Sequence, residues 1–247
     1  MLKLSIITIN YNDVQGLKKT VESVTNQSCK DFEYIVIDGG STDGSGEYLS
    51  LQNDKINYWI SEPDHGIYNA MNKGIKRAKG SYFLFLNSGD TLVDDKEILN
   101  KIISKLNDKA VYYAPIYLLK NDLTQTKLDY PIKLDERFLF TNTICQQAVI
   151  YHNLSYHNLY FDEKLKYISD WKMHFVLFKK RFDFIYLEIP FAVYDLNGIT
   201  SNGETKYAAH RERLKLQFFE FFFYFVKYYG TNRRVLFRLL KIFIKNN

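Results

Sequence analysis

An acid and an amide stand three residues apart in Asn87-Ser88-Gly89-Asp90, directly after the apolar run Tyr82-Phe83-Leu84-Phe85-Leu86. A run of that kind, without polar alternation, reads as a strand buried on both faces. In an open α/β sheet, ligands collect just outside the carboxyl ends of such strands. Oxygen donors placed there suit Mg2+ or Mn2+, with most remaining ligands supplied by phosphate oxygens and water. The competing reading makes Asp90 a turn residue that caps the next helix, with Asp94 and Asp95 in that helix's first turn facing its dipole.

Three further runs carry comparable groups. Asp38-Gly39-Gly40-Ser41-Thr42-Asp43-Gly44 follows Tyr34-Ile35-Val36-Ile37, a second buried strand. Its glycines permit positive φ and close backbone approach to a ligand, and Asp38 can accept hydrogen bonds from a base or a ribose. The same residues would equally make a tight turn with helix-capping side chains. No G-x-G-x-x-G follows the first strand, so this is not a dinucleotide fingerprint. Glu62-Pro63-Asp64-His65-Gly66 leads into a helix on which Asn69 and Asn72 share a face, with Asp64 as its expected N-cap. Two amides so placed can contact a nucleotide or orient a carboxylate, and Asn is a poor enough helix former that two of them need a reason. Ser169-Asp170-Trp171 opens a later helix. There Asp170 is either an N-terminal charge or, if this helix and the sheet ends enclose one cleft, a general base. His65, His152, His157, His174 and His210 form no H-x-x-x-H pair, and only His65 neighbours a candidate acid, Asp64.

The elements that must position these groups alternate. Residues 4–9 read as a strand, 14–26 as a helix with Leu17, Val21 and Val24 at helical spacing, 34–37 as a strand and 46–52 as a short helix. A strand over 56–60, a helix over 66–78 and a strand over 82–87 follow. Such alternation predicts βαβ units and a parallel sheet. After about residue 108 the pattern is mixed: strand-like stretches at 110–118 and 145–151, a helix near 169–180, strands near 183–194, then helices over 205–229 and 231–245. The expected fold class is therefore α/β, a mostly parallel, Rossmann-like central sheet flanked by helices, with a C-terminal helical extension. The expected division is a body over 1–204 and a basic amphipathic tail over 205–247.

The 247 residues are 46% hydrophobic and 25% charged, ordinary for a chain that buries a full core, and 17% aromatic, which is high. Cys29 and Cys145 lie far apart with no metal or redox spacing, as expected of two buried thiols in a reducing compartment. The N-terminus shows no signal peptide, and no apolar run approaches the roughly 20 residues of a membrane-spanning helix. Phe218 to Val226 is the longest candidate, and it contains Glu220. From Lys206 onward ten basic residues face only Glu212 and Glu220, a local net charge of +8, which leaves −3 for the remainder of a chain whose total is +5.

Taken together, these motifs resemble the family 2 glycosyltransferases, whose fold is GT-A, and especially the bacterial colanic-acid, capsule and O-antigen type. The resemblance covers about residues 2–200. It is carried by Ser5-Ile6-Ile7-Thr8, by Ile37 to Gly44, by Ser61 to Gly74 and by Phe85 to Asp90, four motifs in order and at family spacing. Gln147-Ala148-Val149-Ile150-Tyr151, Ser169-Asp170-Trp171 and Asn197-Gly198-Ile199-Thr200-Ser201 follow in the family's order.

The resemblance implies a role for each matched position. Thr8, Asn10 and Asp38 would line the pocket for the base and ribose, with uridine the usual base. Asp64, Asn69 and Asn72 would sit beside the nucleotide and sugar. Asp90 matches the metal-binding acid of the family's D-x-D-D motif, from which Asn87 and Gly89 depart. That departure lowers the negative charge around an Mn2+ or Mg2+ ion. Asp170 matches the catalytic base, and Gln147, Gly198 and Ser201 would shape the acceptor side. The implied reaction is an inverting transfer of a sugar from a nucleotide donor to a glycan or lipid-linked saccharide in surface polysaccharide synthesis.

Within the tail, Leu236, Leu239, Leu240 and Phe243 fall at helical spacing among Arg233, Arg238, Lys241 and Lys245. A basic amphipathic helix suits an anionic membrane surface, which would put the protein peripherally on the cytoplasmic face of the inner membrane. Alternatively the stripe packs on the core or on a second subunit of a homodimer. A nucleotidyltransferase would need a glycine-rich basic loop where Asn10-Tyr11-Asn12-Asp13 stands. A non-catalytic binding module would have no use for Asp38, Asp90 and Asp170 together. Nucleic-acid binding finds no recognised motif.

Overall fold

A computed structural model describes residues 2–120, 122–153, 160–196 and 203–230. The first half alternates as the apolar periodicity requires: β1 (Leu4–Asn10), α1 (Val14–Thr25), β2 (Phe32–Asp38), α2 (Ser45–Ser50), β3 (Tyr58–Ser61), α3 (Ile67–Arg77) and β4 (Tyr82–Phe85). β1 and β4 are buried at every position, as strands covered on both faces must be. After β4 the chain continues to pair with β1: the Leu86 and Ser88 N–H groups donate to the carbonyls of Ile7 and Ile9. α3 lies close on the sheet because Gly74 has no side chain; a Cβ there would stand 2.5 Å from Ile7 Cγ2.

The second half contributes β5 (Thr91–Leu92), α4 (Ile98–Ile103), β6 (Val111–Tyr113), β7 (Ile116–Leu119), β8 (Gln125–Leu128), α5 (Glu136–Thr141), a 3-10 turn (Gln146–Ala148), β9 (Val149–His152), α6 (Ser169–Lys179), β10 (Phe184–Tyr186), β11 (Ala192–Asp195), α7 (Gly203–Phe219) and α8 (Phe222–Tyr229). A seven-stranded sheet has the order β10-β6-β9-β4-β1-β2-β3. It is parallel except at β9, which runs antiparallel to both β4 and β6. A second sheet has the order β5-β11-β7-β8. The carboxyl ends of β1, β2 and β4 all open on one edge, where the motif loops gather.

Three expectations are corrected. The single strand over 110–118 is two strands in different sheets, because Ala114-Pro115 interrupts it and a proline cannot donate to a ladder. The helix over 205–229 is broken at Glu220-Phe221. The helix after the Asp90 loop begins only at Ile98 with no acid in its first turn, so Asp94 and Asp95 precede it, and Asp95 pairs with Lys101 at 2.6 Å.

α7 and α8 pack on the body. Leu214, Leu216 and Phe225 are buried, and Phe221 and Tyr224 pack edge-to-face against Phe175 of α6. The stripe from Leu236 to Phe243 and the basic residues Arg233, Arg238, Lys241 and Lys245 lie outside the described residues. Among the described residues no helix is long and apolar enough to cross a membrane.

Candidate active site

Asn10, the last residue of β1, ties three loops together. Its Nδ2 donates to Asp38 Oδ1 (2.6 Å), Ser45 Oγ (2.9 Å) and Ser41 Oγ (3.3 Å), and its Oδ1 accepts from Ser88 Oγ (2.7 Å). Asp38, at the end of β2, is fully buried and takes three further hydrogen bonds, from Ser41 N (3.0 Å), Ser41 Oγ (2.5 Å) and Ser61 Oγ (2.5 Å). These two residues form a buried polar hub in which the donors and acceptor at hand are used. Thr8 lies deeper still: it is fully buried and its hydroxyl pairs with Tyr34 Oη at 3.0 Å, so it presents no surface to a ligand.

Beyond the hub the surface opens. Gly39 follows Asp38, and a Cβ there would meet Asp64 Oδ2 at 2.6 Å and the Tyr11 ring at 3.1 Å. The bare backbone of Gly39 thus packs between the Asp64 carboxylate and the exposed Tyr11 ring. Asp64 is not the N-cap of α3. Gly66 holds that position, and Asp64 Oδ1 accepts from Gly66 N at 2.8 Å, leaving Oδ2 toward Gly39. Asn69 and Asn72 do share a face of α3, but their amides grip the segment that leads to α6. Asn72, buried, exchanges both its groups with the Phe161 backbone and donates to Glu163 Oε1 at 2.7 Å; Asn69 donates to Glu163 Oε2 at 2.9 Å.

Asp90 is buried. Gln147 Nε2 donates to its Oδ2 at 2.6 Å and Asp195 N to its Oδ1 at 3.0 Å, while its own carbonyl accepts from Thr20 Oγ1 of α1 at 2.7 Å. The contact with Asp195 exists because β5, just after Asp90, pairs with β11. Gly89 makes the turn at φ +93°, a conformation a side chain rarely adopts. Burial pushes the Asp90 carboxyl up to about 7, against the pull of Gln147 and of Asp195 N–H. On the same loop the Asn87 Oδ1 is buried without a hydrogen-bond partner.

Whether this loop suits a divalent cation can be judged from those atoms. Among the described residues no three His, Cys, Asp or Glu side chains group closely enough to cage an ion. The oxygen donors this loop offers are the Asp90 carboxylate, with lone pairs to spare, and the unpaired Asn87 amide oxygen, so an ion held here would need phosphate and water for its other ligands.

Asp170 stands in the first turn of α6. Tyr68 Oη of α3 donates to its Oδ1 at 3.3 Å, and the Tyr68 ring stacks on Phe161 at 5.5 Å. Burial raises the Asp170 carboxyl to about 6, opposed by the Trp171 N–H, Tyr68 and the Arg213 charge. Trp171 itself is anchored, its Nε1 donating to Leu139 O at 2.8 Å. The Cys145 thiol links the two acids: burial lifts it to about 11, and the charges of both Asp170 and Asp90 add to that rise. Both acids thus lie within electrostatic reach of Cys145. Cys145 is partly exposed, a correction to the expectation of two buried thiols; Cys29 is buried.

Gln147 meets Asp90, whereas Gly198 and Ser201 lie outside the described residues, as does His157. His65 contributes its backbone N–H to Asn69 Oδ1 (3.3 Å). His174 is buried, held near 3 by burial, and shares a hydrogen bond of 2.5 Å with Tyr151. Tyr11, Tyr68, Cys145 and Asp195 were not singled out from sequence. Tyr11 had a signal, an aromatic directly after a buried strand; the others meet the site only through tertiary contacts.

Residues 5–169 match the model of glycosyl transferase family 2, and the chain belongs to that family. An uncharacterised glycosyltransferase of Mycobacterium tuberculosis is 50% identical over 108 residues, 43% of this chain and 41% of that protein. An uncharacterised glycosyltransferase of Rickettsia prowazekii is 30% identical over 193 residues, 71% of this chain and 58% of that protein. The chain thus spans about half the length of the curated relatives it matches. Among solved structures, Staphylococcus aureus TarS 1–349 in complex with UDP-GlcNAc superposes with a TM-score of 0.65 at 18% identity, covering 86% of this chain and 66% of that one. The Pyrobaculum calidifontis mannosyltransferase PcManGT with GDP-Man and Mn2+ gives 0.63 at 13% identity, covering 86% and 61%. The fold is GT-A.

Proposed function

We propose that this protein is an inverting, metal-dependent glycosyltransferase that moves a sugar from a nucleotide donor, UDP-linked by preference, to a saccharide acceptor. The observation that carries this reading is a pair of acids, the buried Asp90 and the half-buried Asp170, each near Cys145 and each with its carboxyl pKa raised. Titratable groups whose environments shift them into the working pH range mark acid and base positions. The nucleotide would lie over Tyr11, Gly39 and Asp64, with the Asn10–Asp38 hub shaping the floor. Asp170 would take the proton of the attacking hydroxyl, held in orientation by Tyr68. Asp90 and Asn87 would hold a cation, which when bound would offset charge developing on the departing diphosphate.

Structures of TarS with UDP-GlcNAc and of PcManGT with GDP-Man and Mn2+ support a nucleotide-sugar donor and a divalent ion. A curated relative named a PGL/p-HBAD biosynthesis glycosyltransferase, from Mycobacterium bovis and 29% identical over 154 residues, supports a biosynthetic glycosyl transfer. Capsule or O-antigen synthesis is the setting we propose, with Gly198 and Ser201 on the acceptor side. The basic segment after Gly230 would rest on the cytoplasmic membrane face or on a second subunit, with 1–204 as the transferase domain and 205–247 as the tail. A screen of UDP- and GDP-sugars for Mn2+-dependent hydrolysis tests the reading. It predicts turnover of at least one UDP-sugar, and no turnover or binding of any member would contradict it.

A further inference from the structure

α8 is held to the body along one side. Phe225 is buried, and Phe221 and Tyr224 meet the Phe175 ring of α6 edge-to-face, with centroids 5.0 and 5.4 Å apart. Lys227 Nζ and Tyr228 Oη both donate to Glu136 Oε1 of α5, at 2.7 and 2.5 Å. These contacts fix how the helix is turned. Its other side should then be polar, as on a helix that packs on a core by a single stripe. Instead that side carries Phe222, Val226 and Phe223, which are 48%, 49% and 86% exposed. At about 100° per residue the three fall within one arc of about 100°. The rings of Phe222 and Phe223 lie 6.4 Å apart, so the patch is continuous.

Scattered exposed apolar residues need no explanation, but neighbouring rings on the outward face of a pinned helix mark a binding surface. The charge around the patch selects its occupant. After Glu220 the chain contains no acid, whereas Lys227, Arg233, Arg234, Arg238, Lys241 and Lys245 are all cationic. Apolar rings beside an unopposed run of cations complement an anionic bilayer, whose interface takes up the rings while its headgroups attract the charges. A second copy of the chain is a poorer match. Covering the exposed parts of these three side chains removes roughly 300 Å2, where each partner of a stable interface gives up about 800 Å2. A two-fold contact here would also set like charges against each other. We propose that the Phe222, Phe223 and Val226 face of α8 is an interfacial anchor for an anionic lipid surface. Because α8 packs on α6, the anchor and Asp170 stand on two packed helices. The anchor itself does not depend on the glycosyltransferase reading.

Co-sedimentation of the full chain with vesicles tests this, using phosphatidylcholine alone and phosphatidylcholine mixed equally with phosphatidylglycerol. Wild type should bind the mixed vesicles and leave the neutral ones in suspension. Phe223→Ser should bind the mixed vesicles about tenfold more weakly, the scale of one aromatic side chain kept out of the interface. Phe223→Trp should bind as wild type does, and brominated acyl chains should quench its fluorescence beyond any quenching of Trp59 and Trp171 in wild type. That signal reports insertion at this position directly and covers the case in which the Ser variant does not fold. Wild type binding no vesicle overturns the proposal, as does equal binding to both vesicle types or a Phe223→Trp signal that bromine leaves unchanged. Folded Phe223→Ser binding as wild type does also overturns it and leaves lipid attraction to the basic segment alone. A lipid-free dimer that Phe223→Ser disperses, in a chain that ignores vesicles, assigns the face to a second copy instead. Vesicle binding needs no sugar donor, so its failure and the failure of the donor screen are separate results.

Discussion

Asp38 on β2 and the pair Asp90 and Asp170 hold their carboxylates differently. Asp38, between β2 and its loop, is surrounded by Asn10, Ser41 and Ser61, and its four hydrogen bonds run from 2.5 to 3.0 Å. Asp170, on α6, has a single side-chain donor at 3.3 Å, and Asp90 has one side-chain donor, Gln147, and the Asp195 N–H. On the Asp90 loop the protein also leaves Asn87 Oδ1 unpaired. A buried polar group with its full set of partners rigidifies the structure around it, whereas one with capacity to spare invites a ligand. The strand end at Asp38 is thus a scaffold. The Asp90–Asp170 region is where chemistry would fall.

The contrast can be broken at either end. The largest effect expected is on stability at the scaffold. Asp38→Ala strands the donors of Asn10, Ser41 and Ser61 in a buried place, which should cost about 3–5 kcal/mol of unfolding free energy. A urea midpoint like that of wild type would show that the hub is not structural. At the other end, Asp90→Ala should weaken Mn2+-dependent UDP binding by about 100-fold, the upper scale for disturbed metal sites, and should cost less stability than Asp38→Ala, since it strands only Gln147 Nε2 and the Asp195 N–H. Calorimetry with equal affinities would remove the metal role.

Proton linkage gives a smaller effect with a definite sign. Because burial holds the Asp90 carboxyl near 7, a cation has to displace a proton below that pH. Mn2+-dependent UDP binding should therefore strengthen by about tenfold between pH 6 and pH 8, and a flat profile would contradict the shift. The smallest effect separates Thr8 from the ligand surface. Thr8→Val removes the bond to Tyr34, which should cost about 1 kcal/mol of stability and leave UDP affinity unchanged. A fall in affinity would return Thr8 to the nucleotide pocket.

Much of this arrangement was legible in the chain. β1 to β4 and the helices between them follow from uninterrupted apolar runs and helical spacing, and their ends carry Asn10, Asp38, Asp64 and Asp90 where ligands collect. What the amides of Asn69 and Asn72 hold was not legible, since Phe161 and Glu163 reach them only in the fold. Neither was the Asp195 contact to Asp90: β5, at two residues, is too short to read, so its pairing with the strand that ends at Asp195 appears only in the fold. The break between α7 and α8 falls at Glu220-Phe221, where no glycine or proline announces it.

The central claim, that Asp170 is the base of a glycosyl transfer, is tested most directly by Asp170→Asn, assayed for both transfer and UDP binding, beside the pH profile of wild type. With its carboxyl raised to about 6, Asp170 is ionised above that pH, so wild-type kcat/KM should rise with pH through about 6 and then level. The Asn variant should lose transfer by about a thousandfold or more while binding UDP as wild type does. Transfer at the wild-type rate by the Asn variant would contradict the account.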